Sequence, residues 1–122
     1  MILVDTSVWI DFLQGKDTIH RHTLHNFIAK EEDICLTGIV LTEILQGIYD
    51  DKTCQETKHY LLEFPVYESE GINTYIEAAG IYRTCSKRGK TVRKTIDCLI
   101  AAIAIENDLI LFHNDRDFNS IA

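Results

Sequence analysis

The chain has 122 residues, 46% of them hydrophobic and a quarter charged, which is enough for one domain with one buried core and too little for a second. One proline and six glycines leave little material for linkers, and the charged fraction accompanies too much apolar residue for disorder. A formal net charge of −7, from 12 basic and 19 acidic residues, argues against nucleic acid as a partner so long as charge is read globally.

Ile2–Val4 is a short apolar run and predicts a buried strand. Thr6 or Ser7 can cap a following helix that carries Trp9, Phe12 and Leu13 on one face and ends near Gly15. A second helix is expected from Asp17 to about Lys30, then a strand over Asp33-Ile34-Cys35-Leu36. Thr37 can cap the helix of Ile39, Val40, Leu41, Ile44, Leu45 and Ile48. Another helix is expected from Thr53 to Phe64, stopped by Pro65, followed by a strand at Val66-Tyr67. Ile72 to about Lys87 predicts a long helix closed near Gly89. Thr95 is expected to cap the most apolar helix, Ile96 to about Glu106, and Leu109–Phe112 to form the last strand. Strands of continuous apolarity alternating with helices predict an α/β domain, a short central parallel sheet sandwiched by helices over residues 1–122.

Charge is unevenly distributed. Arg83, Lys87, Arg88, Lys90, Arg93 and Lys94 follow one another without an intervening acid, which is half of the basic residues in one short stretch. On charge alone, a solvated helix face explains it. Cys35, Cys54, Cys85 and Cys98 lack the close pairing of a zinc knuckle or a redox motif. The opening Met1-Ile2-Leu3-Val4-Asp5 has no basic leader, and no apolar run nears the ~18 residues of a membrane span. The expectation is a cytoplasmic protein with thiols packed as small core hydrophobes and no membrane partner.

In open α/β sheets, ligands bind beyond the carboxyl ends of the strands. Asp5 directly follows the first strand, and Asp115 follows the last by three residues. Asp97 lies in the first turn of the most apolar helix, and Glu43 stands six residues past Thr37, ~9 Å along a helix. Each acid alone has a structural explanation as a cap, a dipole partner, a turn former or a surface residue. Together on one rim they would repel one another, and a divalent cation removes that conflict. All-oxygen ligation suits Mg²⁺ or Mn²⁺, and such a site activates water against a phosphodiester.

The segments Leu3-Val4-Asp5-Thr6-Ser7-Val8-Trp9-Ile10, Thr42-Glu43-Ile44, Asp97-Cys98-Leu99-Ile100-Ala101-Ala102 and Leu111-Phe112-His113-Asn114-Asp115-Arg116-Asp117-Phe118 resemble, in order and spacing, the four motifs of PIN domains. At this size the chain looks like a VapC-type toxin of a type II toxin–antitoxin pair. The resemblance implies a Mg²⁺- or Mn²⁺-dependent endoribonuclease, an RNA substrate, a cognate antitoxin and a homodimer. It implies Asp5, Glu43, Asp97 and Asp115 as the acidic quartet, with Asp117 a second candidate in the fourth motif. Thr6 or Ser7 would hold the first acid, and His113 stands where a small hydroxyl residue or Asn is more usual. Under that reading Arg88, Lys90 and Arg93 are candidates to grip RNA. Asp108 replaces the glycine often found before the last strand, and is expected to matter only at the surface. His20, His22 and His25 are expected on a solvated face, and Tyr75 and Tyr82 in the core. Leu41, Leu45, Ile48 and Tyr49 are either core or an apolar surface for a partner. The alternatives are an α/β binding module and a phosphotransfer receiver; the receiver lacks its second acid near Asp5 and its lysine after the last strand.

Overall fold

A computed structural model describes residues 1–90 and 94–114. The elements run β1 (Ile2–Val4), α1 (Thr6–Leu13), α2 (Ile19–Ala29), β2 (Ile34–Thr37), α3 (Gly38–Gln46), α4 (Asp51–Leu61), β3 (Val66–Tyr67), α5 (Ile72–Lys87), α6 (Thr95–Glu106) and β4 (Ile110–Phe112). The four strands form one parallel sheet in the order β3-β2-β1-β4. The register pairs Leu3 with both Cys35 and Leu111, and Thr37 with Tyr67. Successive side chains of a strand point to opposite faces, so the burial of all four β2 residues means that both faces are covered by helices. The carboxyl ends of all four strands therefore lie along one rim, and the strand order turns at β1, the site-forming position in such sheets.

The main core joins Leu3, Val4, Ile34 and Leu36 of the sheet to Val8, Trp9, Leu24, Val40, Ile44, Leu61 and Ile100 of the helices. Trp9 is wholly buried and meets Phe12, Tyr60 and Phe64 edge-on at ring distances of 6.0, 6.4 and 5.4 Å, an arrangement favoured by the ring quadrupoles. Between α5 and α6 the small side chains Ala78, Cys85, Cys98 and Ala102 form a second, thinner core that lets the two helices approach closely. The cysteines are thiols; Cys35, Cys85 and Cys98 are buried and Cys54 is half-buried. Burial pushes the Cys35 thiol up to about 11.

Several boundaries differ from the sequence expectation. Asp5, rather than Thr6 or Ser7, caps α1. Lys94 occupies the cap position of α6, which makes Thr95 its first residue and gives it no side-chain cap bond. Helix α4 begins after Asp50, whose carboxylate accepts from the Thr53 N–H and hydroxyl, both at 2.7 Å. It ends at Leu61, and Phe64 turns back onto Trp9. Thr37 caps α3 as expected, accepting from the Val40 N–H at 3.0 Å.

Asp108 is more than a surface replacement. The Leu109 N–H bonds to the Ala104 carbonyl at 2.8 Å and the Asp108 N–H to that of Ile105 at 3.3 Å, a Schellman closure of α6. That closure puts Asp108 at φ 52°, the left-handed region where glycine is the easy residue. Gly89 holds the equivalent place after α5 at φ 71°. Tyr75 and Tyr82 are exposed rather than in the core, while Leu41 and Ile48 pack partly against it and Tyr49 stands fully in solvent. His22 does face solvent, paired with Asp17 at 2.6 Å, but His20 is half-buried and stacks on Phe112.

Candidate active site

Three acids from three elements meet in one cleft at the strand rim. Asp5 leaves β1 with its N–H donating to the Phe112 carbonyl at 3.0 Å, which continues the ladder to β4. Its side chain then turns onto the start of α1, where Oδ2 accepts from the Ser7 N–H at 3.2 Å and the Ser7 hydroxyl at 2.8 Å. A carboxylate there is favoured by the unsatisfied N–H groups of the helix N-terminus. Asp97 sits in the first turn of α6, where the same dipole favours it, and like Asp5 it is only 3% exposed. Glu43 lies on the second turn of α3 and accepts from the Thr6 hydroxyl at 2.8 Å. Asp5, Thr6, Ser7, Ile10, Glu43, Lys94 and Asp97 line a cleft of about 220 Å³.

Among the described residues, chemistry separates two further cavities from this one. One, between α1, α3 and α4, is lined mainly by Ile10, Leu13, Ile44, Ile48 and threonines. The other, about 350 Å³ beside β3, has Glu68 as its one carboxylate-bearing lining residue. Of these three cavities among the described residues, the cleft with Asp5 is the one that gathers several charged side chains, the ordinary mark of a reactive site.

The donor set bears on a metal. It consists of three carboxylates and two hydroxyls with no cysteine or histidine, so it suits a hard divalent cation such as Mg²⁺ or Mn²⁺ and not zinc. Among the described residues no three acidic, histidine or cysteine side chains are drawn close enough to form a cage by themselves. Glu43 is turned toward Thr6, and Lys94 brings a positive charge among the acids.

The remaining sequence candidates divide. His113 is half-buried just past β4. Arg88 and Lys90 are exposed beyond α5 and do not line the cleft. Asp115, Asp117 and Arg93 lie outside the described residues. Two residues are added by the structure. Lys94 belonged to the basic stretch, and its position three residues before Asp97, one helical turn away, was the available signal. Asp11 is buried on α1, and its Oδ2 takes hydrogen bonds from the Thr18 hydroxyl at 3.3 Å and the Asn114 amide at 3.4 Å. The periodicity of α1 does not point to it, because its partners lie outside that helix, Thr18 at the start of α2 and Asn114 beyond β4.

Comparison with known proteins agrees with this architecture. The family profile described as PIN domain matches residues 2–122. The chain is 34% identical over 123 residues to Ribonuclease VapC11 of Mycobacterium tuberculosis, an alignment covering 100% of this chain and 92% of that protein. A toxin–antitoxin complex from Klebsiella pneumoniae superposes with a TM-score of 0.75 at 21% identity, covering 97% of this chain and 90% of the other. VapBC-1 of nontypeable Haemophilus influenzae superposes at 0.76 and 18% identity, covering 99% and 92%. A profile match over nearly every residue and an identity of one third across the full length establish that the chain belongs to the PIN domain family, among its VapC-type members.

Proposed function

We propose that the protein, as one catalytic domain over residues 1–122, is the toxin of a type II toxin–antitoxin pair, a metal-dependent endoribonuclease that hydrolyses RNA phosphodiesters in the cytoplasm. The observation that carries this reading is the convergence of Asp5, Glu43 and Asp97, from β1, α3 and α6, on one cleft of a VapC-type PIN domain. In this reading Asp5 and Asp97 are the most direct ligands of Mg²⁺ or Mn²⁺, and Glu43 and Asp115 complete the acidic set, with Asp117 the second candidate for the fourth position. When bound, a divalent cation supplies Lewis acidity toward a water and the phosphodiester oxygens.

The chain's own groups do the positioning. Ser7 fixes the Asp5 carboxylate through two hydrogen bonds on one oxygen, and Thr6 holds Glu43 beside it. Lys94 offers a cation at the mouth of the cleft to a substrate phosphate, and Arg88, Lys90 and Arg93 extend that contact along the RNA. His113, next to this rim, is an accessory residue. The global −7 then ceases to be an obstacle, since several acids serve the cation and the basic residues are concentrated on the approach. A cognate antitoxin restrains the enzyme, in keeping with the toxin–antitoxin complexes whose fold it shares, and the toxin itself is proposed to be a homodimer on the family resemblance. Among the described residues no helix is long and apolar enough to cross a membrane.

The test is cleavage of RNA by the purified protein with Mg²⁺ or Mn²⁺, followed by end analysis. Products with 5′-phosphate and 3′-hydroxyl ends, lost in excess chelator, are expected. Cyclic phosphate ends would mean attack by the 2′-hydroxyl and would overturn the metal-water route; full activity in chelator would overturn the metal.

A further inference from the structure

The buried Asp11 has a role that the acidic set does not use. It lies about one and two-thirds helical turns past Asp5 on α1, at a depth where a charge needs partners, and among the described residues it has three. Lys16 approaches Oδ1 at 4.0 Å, while Thr18 and Asn114 donate to Oδ2. Thr18 in turn caps α2, accepting from the Arg21 N–H at 3.1 Å.

Asn114 is the key member. Its side-chain amide is held by Asp11, and its backbone N–H donates to the Ser7 hydroxyl oxygen at 3.0 Å. Asp11 and Ser7 are four residues apart and so share one face of α1. Asn114, just beyond β4, is therefore clamped on α1 at two points. The clamp has a chemical consequence. With its oxygen accepting from Asn114, the Ser7 hydroxyl directs its own proton to Asp5 Oδ2, at 2.8 Å. The chain of bonds Asp11–Asn114–Ser7–Asp5 thus runs from a buried carboxylate to the carboxylate of the cleft.

The geometry points to Asp11 as a positioning residue that sets the orientation of Asp5 through Asn114 and Ser7, and with it the affinity of the site for a divalent cation. The cation-affinity part rests on the nuclease reading above; the clamp itself does not.

The polarity of the Asp11–Asn114 contact can be reversed at constant charge. Asn114→Asp alone sets two carboxylates against each other. Asp11→Asn alone either turns its amide nitrogen toward Asn114 and Thr18, donor against donor, or keeps its oxygen there without the charge that strengthens both bonds and pairs with Lys16. The double variant D11N/N114D restores a donor opposite an acceptor at residue 114, with loss of the Thr18 bond, which in the native protein ends on the same oxygen. Two readouts are taken on the full chain: hydrogen exchange of the Asn114 amide by NMR, and Mn²⁺ affinity by calorimetry. Each single variant is expected to lower Asn114 protection and to weaken Mn²⁺ binding about tenfold, within the range typical of groups that orient ligands. The double variant is expected to recover both. Unchanged Asn114 protection in the single variants, or a double variant no better than the worse single one, overturns the clamp. A restored clamp without recovery of Mn²⁺ affinity overturns its link to Asp5. Failure of the unmodified protein to bind Mn²⁺ overturns the metal reading instead, and amide protection still decides the clamp.

Discussion

Replacing Asp5 by asparagine and by alanine separates its two duties, capping α1 and serving the cleft. Asparagine retains a side-chain oxygen for the Ser7 N–H and hydroxyl and caps helices about as well as aspartate, so Asp5→Asn should change stability by less than about 0.5 kcal/mol. Alanine loses the cap, about 1 kcal/mol, and strands the Ser7 hydroxyl, about another 1 kcal/mol. Both changes relieve repulsion with Asp97 and Glu43 equally, so the difference between them isolates the cap. At about 2.1 cal/mol/K per residue, 122 residues give an unfolding entropy of about 0.26 kcal/mol/K. The alanine variant should therefore melt about 8 °C below the asparagine variant. Cleavage, by contrast, should fall by about 10³-fold in both, because several kcal/mol of charge stabilisation is lost with the carboxylate. Circular dichroism melts and an RNA cleavage assay read the two quantities. Equal melting temperatures would refute the capping account, and an active Asp5→Asn would refute the site.

Asp108→Gly should stabilise the fold by about 0.5 kcal/mol, since relief of the left-handed conformation outweighs glycine's extra entropy, and a denaturant midpoint measures it. The raised Cys35 pKa means that its folded thiol stays protonated from the ordinary value up to about 11, with a stabilising contribution present below the ordinary value and lost as pH rises through about 11. At pH 8 an alkylating reagent should therefore reach half-buried Cys54 well before Cys35, as peptide mapping would show. The Asp50 carboxyl is held below its ordinary value by the Thr53 hydroxyl and N–H, so its cap is fully present above that value and is lost as pH falls through the lowered one; a smaller protection factor of the Thr53 amide in acid, relative to the intrinsic exchange rate at the same pH, is the measurement. Neutralising Arg88, Lys90 and Arg93 together should flatten the logarithmic salt dependence of RNA binding by about 2, at roughly 0.7 per phosphate contact on single strands, and an unchanged slope would return these residues to the role of solvated surface.

Much of this architecture was legible because it rests on local pattern. Short apolar runs of two to four residues make the strands, and Thr37 followed by an apolar periodicity makes the start of α3. What was less legible depends on choices between near-equal local chemistries. Asp5, Thr6 and Ser7 are all good capping residues, and the ladder bond from the Asp5 N–H to Phe112 helps to hold Asp5, not its neighbours, at the cap. The Glu43 contact with Thr6 spans 37 positions and follows from packing of α1 on α3, which no window of sequence contains. His20 was expected in solvent because its neighbours are polar, yet stacking on Phe112, at the other end of the chain, gives it a half-buried place. Asp11 follows the same rule in stronger form, since its environment is built by Thr18 and Asn114 and looks from the sequence like a polar position on an amphipathic helix.

The pairing of β1 with β4 has a bearing on how the protein is made. Ile2, Leu3 and Val4 meet Ile110, Leu111 and Phe112, so the sheet closes between segments more than a hundred positions apart, and the Asp5 N–H finds its acceptor only there. Contacts of such long sequence separation form late, and a chain emerging from the ribosome cannot form them until β4 has been synthesised. The rim that carries the acids is thus completed only after β4 has been made and has docked beside β1.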